Sequence, residues 1–274
     1  MKTPLPRRTP IDIARMSSWL ADFSGYRHSV TEGRIDRWLE QFDAGDRDLA
    51  ARVLDAVDFV SREQMHSALR SALAAIDGWS LDEGARRGRW RFVAFAVSAG
   101  ESGDEMLRTF RSANGLSGRR YNELFIHKSE LVREELGPED TVVFIDDFAG
   151  TGKQAVDVWP EMRELLAKGP RSILVLIGAS DHACTRIEQD TELVVLRHIA
   201  LTASDNVFAA GCPHFTSDEQ SRLLQYCTRA DRRAPRGFGD CGFVVVFAHT
   251  CPNNSIPILR TSHPGWEGLF RRYG

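Results

Sequence analysis

Asp146 and Asp147 stand side by side after an apolar run at 142–145, and Gly150, Thr151, Gly152, Lys153 and Gln154 follow almost at once. A glycine-rich turn that opens a helix supplies backbone N–H groups and the positive end of the helix dipole, which together hold anions. Carboxylates beside such a turn suit phosphate poorly by itself. They suit a ligand whose phosphate is joined to ribose hydroxyls or accompanied by Mg2+. The apolar run reads as a central parallel strand covered on both faces, and open α/β sheets take their ligands at the carboxyl ends of such strands. On this reading the two aspartates are exposed carboxylates at a strand end, with little part in packing.

Of two familiar glycine loops, one fails on the same residues and the other fits them only in part. A P-loop places its first glycine where this chain has Asp147, and its metal-binding hydroxyl where this chain has Gln154. A dinucleotide fingerprint has Ala155 where its third glycine is usual, a residue sometimes allowed there, and it leaves the aspartates without a role. An ordinary strand-to-helix turn remains open at this point.

Four apolar residues, Asp146 and Asp147, and then Thr151 and Gly152 resemble the PRPP loop of type I phosphoribosyltransferases. The resemblance implies Asp146 and Asp147 on ribose, as the catalytic pair, with Gly150, Thr151, Gly152, Lys153 and Gln154 around the 5-phosphate. Gln154 departs from the small hydroxyl residue usual there, and Phe148 and Ala149 replace small aliphatics. A longer resemblance rests on Arg37 to Phe42, Phe144 to Gln154, Gly237 to Asp240, Cys251 to Ile258 and Trp266 to Phe270. Together these are similar to the phosphoribosyltransferase-like domain of bacterial conflict systems, the PRTase-CE type. It implies a type I phosphoribosyltransferase-like α/β fold in an effector or accessory component of an anti-phage defence system, with a partner protein from the same operon. A nucleotide sensor that keeps the pocket and has lost turnover is the alternative.

A second glycine loop, Ser98, Gly100, Glu101, Ser102 and Gly103, precedes a helix starting near Asp104. In the family the turn after the first core strand cradles pyrophosphate, and this loop holds the equivalent place; a plain capped turn fits it as well. Residues 112–135, with Arg119 and Arg120, have the glycines and charges of a flap able to close over an anionic ligand, or of a solvated surface. Asn253 and Asn254, between Pro252 and Pro257, offer donors and acceptors to a base or ribose, and equally make a turn before proline. The basic residues of 229–236 read as a solvated loop.

The elements around these motifs change character along the chain. Residues 16–23, 31–42 and 47–76 carry apolar side chains at helical spacing, the last with a break near Ser61. Short apolar runs follow at 92–97, 142–145, 173–177, 193–196 and 243–247, mostly separated by helical stretches. That order predicts a parallel sheet with helices on both faces, preceded by an N-terminal helical subdomain at 1–85, with the α/β domain and its hood at 86–274. Thirty-five Lys and Arg against 38 Asp and Glu leave a net charge of −3, so direct nucleic-acid binding is not expected. Five cysteines without a Cys-x-x-Cys pair argue for reduced thiols and no bound metal cluster. No run approaches the roughly 20 apolar residues of a membrane span. The chain is thus expected in the cytoplasm with PRPP or a nucleotide-like small molecule as ligand.

Overall fold

The computed structural model describes residues 13–95, 102–166 and 169–271. Its helices and strands run α1 (Ile13–Asp22), α2 (Glu32–Glu40), α3 (Arg47–Ala56), β1 (Asp58–Val60), α4 (Arg62–Ala74), β2 (Trp90–Ala94), α5 (Ser102–Ala113), α6 (Leu131–Glu134) and β3 (Thr141–Ala149). There follow α7 (Lys153–Glu164), β4 (Arg171–Ser180), α8 (Asp181–Asp190), β5 (Val194–Leu201), α9 (Ser217–Ala230), β6 (Val245–Phe247), α10 (Pro257–Arg260) and the short pair β7 (Ser262–His263) and β8 (Trp266–Glu267). None of the described helices is long and apolar enough to cross a membrane. Two compact units result: one takes the residues up to Arg62 and from Thr202 onward, the other Glu63–Leu201.

In the second unit four parallel strands pair in the order β2-β3-β4-β5. Phe92 lies beside Val143 and Val93 beside Phe144, so alternation puts Phe92 and Phe144 on opposite faces. Phe92 meets Phe110 of α5, with ring centroids 5.0 Å apart, whereas Phe144 meets Trp159 of α7 at 5.9 Å. Helices therefore cover both faces of an α/β sheet, as the alternation of patterns predicts. The route between β2 and β3 explains how strands in sequential order achieve this. After α5 the chain comes alongside β2 at Phe125, which bridges to Phe92, and then reaches α6, whose Leu131 shares the core of Phe144 and Trp159. It has passed around the β2 edge from one face to the other. The helices that follow β2 and β3 thus diverge, and divergence of this kind opens the crevice in which α/β sheets bind ligands.

The first unit departs from the sequence reading in two ways. The pattern at 47–76 predicts one interrupted helix; the interruption is instead the strand β1. Asp58, Phe59 and Val60 take strand form by pairing with Val245, Val246 and Phe247. The run at 243–247 yields β6, which pairs in parallel with β1 in a separate two-stranded sheet, not with the four-stranded one.

The helices α1 to α3 also do not form a core of their own. Trp19, Trp38 and Phe42 are buried together with Leu223, Tyr226, Trp266 and Phe270. The indole N–H groups of Trp38 and Trp266 both donate to the Ile258 carbonyl, at 2.8 and 3.1 Å. Gln41 closes the arrangement: its amide nitrogen donates to the Glu267 carbonyl at 2.9 Å and its amide oxygen accepts from the Glu267 N–H at 2.6 Å. The compact units accordingly divide after Arg62 and Leu201 and not at residue 85, because the apolar faces of the first helices are completed by the chain's last seventy-odd residues.

Candidate ribose-phosphate site

β3 does not stop at Ile145. Its pairing with β4 continues through Asp146 beside Leu176, Phe148 beside Gly178 and Ala149 beside Ala179. The acidic pair consequently lies inside a paired central strand, and Asp146 and Asp147 are 6% and 8% exposed. This corrects the expectation of exposed carboxylates. Regular alternation places Asp146 on the Phe144 face, toward the α7 side, and Asp147 on the Val143 face, toward the α5 side. The Asp147 N–H donates to the Asp146 carboxylate at 2.9 Å.

The turn after β3 is built so that glycine is required at its last position. Gly152, the N-cap of α7, has a φ of 69°, and a Cβ there would stand 2.9 Å from the Ala183 carbonyl oxygen and 3.1 Å from Ile187. Both the left-handed backbone and the close approach of α8 exclude a side chain. Ser180, at the end of β4, holds the turn from the other side: its hydroxyl donates to the Gly150 carbonyl at 2.7 Å and accepts from the Ala183 N–H at 2.9 Å. A helix of 12 residues starts at Lys153, where the glycine pattern puts it, and Gly152 provides no side-chain cap. Thr151 accepts from the Lys153 N–H at 3.3 Å, while the Lys153 ammonium pairs with Asp157 at 2.6 Å. Gln154 is exposed in the first turn. The result is an anion-type helix terminus directly beyond two buried carboxylates.

The family model of PRTase-CE matches residues 35–272. The chain belongs to the PRTase-CE family. The match supports a phosphoribosyltransferase-like domain and takes in both compact units. A search of curated proteins finds no match.

The other candidate residues of this PRTase-CE chain are distributed as follows. Ser98, Gly100 and Glu101 fall outside the described residues; Ser102 and Gly103 are the first residues of α5, two positions ahead of the helix start predicted at Asp104. Arg119 and Arg120 begin a 3-10 turn, Arg119–Leu124, whose Tyr121 and Leu124 are buried. Both arginines are exposed, and the Arg120 guanidinium lies 4.6 Å from the Tyr121 ring centre. Asn253 and Asn254 belong to the first unit, and the residues of the turn to the second. The Asn254 amide donates to the Phe238 carbonyl at 3.0 Å and to the Cys241 sulfur at 3.3 Å, and the Asn253 carbonyl accepts from the Phe238 N–H at 2.8 Å. These bonds join the Gly237 and Pro252 segments into one motif, in which Asn254 holds a turn. Ser180 is the site residue that the sequence reading misses; its signal is a serine followed by Asp181 at a strand-to-helix junction, the pattern of an N-cap. Among the described residues no three His, Cys, Asp or Glu side chains are grouped to cage a metal ion.

Proposed function

We propose that the chain binds PRPP or a related ribose phosphate or nucleotide, with Mg2+, over the carboxyl ends of β2 and β3. The observation that carries this reading is the buried Asp146–Asp147 pair running straight into the glycine-capped start of α7. Ribose hydroxyls are donors that match carboxylate acceptors, and a phosphate on the same ligand matches the N–H groups of a helix start. Asp146 and Asp147 take the ribose, and Gly150 to Gln154 take the 5-phosphate with backbone N–H groups. The segment Ser98 to Gly103, by its place after β2, takes the pyrophosphate. Asp146 and Asp147 are hard-oxygen donors too few to cage a metal, which fits Mg2+ arriving on the ligand's own phosphates. When bound, Mg2+ neutralises charge on the pyrophosphate.

In an active enzyme the C1–oxygen bond to pyrophosphate breaks, pyrophosphate leaves with the bonding electrons, and a base nitrogen bonds C1 and gives up its proton. The chain's part in this is positioning and charge stabilisation. One observation favours the sensor alternative, in which binding survives without turnover: the 5-phosphate turn ends in an exposed Gln154 in place of a hydroxyl residue. Either activity is consistent with an effector or accessory role in a bacterial anti-phage defence system, beside a partner from that operon and in the cytoplasm.

Calorimetric titration of PRPP with and without Mg2+ tests the reading. A ligand at a hundredfold its Kd stabilises the fold by about 2.7 kcal/mol, readily seen in a melt. The double substitution Asp146→Asn with Asp147→Asn should lower affinity by about a hundredfold, the equivalent of about 3 kcal/mol, in a chain whose circular dichroism is unchanged. Wild-type affinity in that variant would sink the proposal.

A further inference from the structure

We propose that the first unit carries a second anion site, for the phosphate group of a small molecule, in the cavity formed by His28, Arg34, Arg37, Glu267 and Arg271. The cavity has a volume of about 380 Å³, within the range of pockets that hold small ligands. Arg34 and Arg37 are three apart on α2 and so share one side of it. Three guanidinium groups against one carboxylate leave two net positive charges on the lining, which match a phosphate dianion.

Local bonding already fixes most of this wall. Arg34 donates to the carbonyls of His28, Ser29 and Leu269, at 3.2, 2.6 and 2.7 Å, and thereby fastens the segment before α2 to the segment at Leu269. Arg271 pairs with Glu267. Two polar atoms stand out against that background: Nε2 of His28 and Nε of Arg271 are buried and have no hydrogen-bond partner among the described residues. Buried nitrogens of this kind are nearly always bonded, and two on one cavity point to an acceptor that the protein does not itself provide. A tetrahedral oxyanion presents enough oxygens to take both, with Arg37 closing from the exposed side.

The charges around His28 give the site a signature. Burial first, and then the neighbouring Arg27, Arg34 and Arg271, hold the His28 pKa below its ordinary value, while Glu267 and Arg37 complete the lining and the Tyr26 ring lies edge-on. Burial and the charge of Arg271 likewise lower Arg34. A bound dianion offsets those charges, so it must raise the His28 pKa.

The site does not depend on the ribose-phosphate reading, and the test separates the two. The imidazole NMR signal of His28, assigned by its loss in His28→Gln, is followed through pH titrations of the full chain with inorganic phosphate and, separately, with adenosine monophosphate. A saturable shift with a rise of the His28 pKa is expected, and the ligand that acts at the lower concentration tells free from esterified phosphate. Arg37→Ala with Arg271→Gln should weaken the effect at least tenfold while leaving PRPP titration unchanged, and Asp146→Asn with Asp147→Asn should leave the His28 response intact. A His28 signal unmoved by either probe up to tens of millimolar would overturn the proposal, as would a shift indifferent to the loss of both arginines.

Discussion

The two ends of β3 use the same residue types for opposite purposes. At its amino end Asp140 accepts from the Arg89 N–H at 2.7 Å, the Gly137 N–H at 2.8 Å and the Arg89 guanidinium at 2.8 Å. Gly88, with a φ of 69°, brings its backbone so close to residue 139 that a Cβ would stand 1.9 Å from the Glu139 carbonyl oxygen. Carboxylate and glycine there are consumed in joining β2 to β3. At the carboxyl end Asp146 and Asp147 lead to another left-handed glycine, Gly152, but that glycine opens a helix without a side-chain cap. The first end ties its carboxylate to the backbone and guanidinium of Arg89, whereas the second runs from two buried carboxylates into the uncapped start of a helix. A carboxylate or a glycine therefore says little about function until its partners are known.

The largest effect should come from Gly88→Ala. A methyl group meeting backbone oxygen at that distance cannot be relieved by a rotamer change, and the positive φ adds its own strain. The loss should be on the order of 3 kcal/mol or more in a denaturant titration. A loss under about 1 kcal/mol would mean that this end of the strand is not fixed as described.

Asp140→Asn comes next and carries a pH dependence. Burial pushes the Asp140 carboxyl up, but the N–H groups of Gly137 and Arg89 and the Arg89 guanidinium outweigh it and hold the pKa below the ordinary value. A depressed folded-state pKa means stability that is present above the unfolded value of about 3.9 and lost as pH falls through the folded one. The wild type should thus exceed Asp140→Asn by about 2 kcal/mol near neutral pH, and the gap should close in acid. Parallel melts between neutral pH and pH of about 3 measure it, bracketing that unfolded value; a gap that widens in acid would reverse the assignment. The contrast between the strand ends also fails if the Asp146 and Asp147 double variant loses as much stability as Asp140→Asn.

What the sequence makes legible follows from locality. The runs that became β2 to β5, and the helix start at Lys153, can be read because each depends on a few neighbouring residues. The burial of Asp146 and Asp147 cannot, since it arises from Phe148 and Ala149 pairing with Gly178 and Ala179 of another strand. The same holds for α1 to α3. Their periodicity shows an apolar face, and only the folded chain shows that Tyr226 and Trp266 cover it. β1 is hidden for a different reason: three residues between two helices leave too short a pattern to outweigh the helical spacing around them. Asn254 has the residue type for recognising a ligand, yet Phe238 and Cys241 already take its amide donors.

The smallest effect, and the one that sharpens the carboxyl end most, belongs to Gln154→Thr. Gln154 is exposed in the first turn of α7, so exchanging it should change stability by no more than about 0.5 kcal/mol. Its amide can donate to a 5-phosphate, but over a longer stem than a hydroxyl, and a misplacement of about 1 Å can cost on the order of a hundredfold in rate. On the proposed reading binding tolerates displacement better than reaction does, because the backbone N–H groups of the turn would still meet the phosphate. Gln154→Thr should therefore leave PRPP affinity within a few-fold and raise base-dependent pyrophosphate release. Calorimetry beside a pyrophosphate assay over a panel of bases reads both quantities. A wild-type chain that turns over quickly and is slowed by the threonine would show that Gln154 is itself suited to the reaction; preserved affinity with no release from either protein would assign the site to sensing.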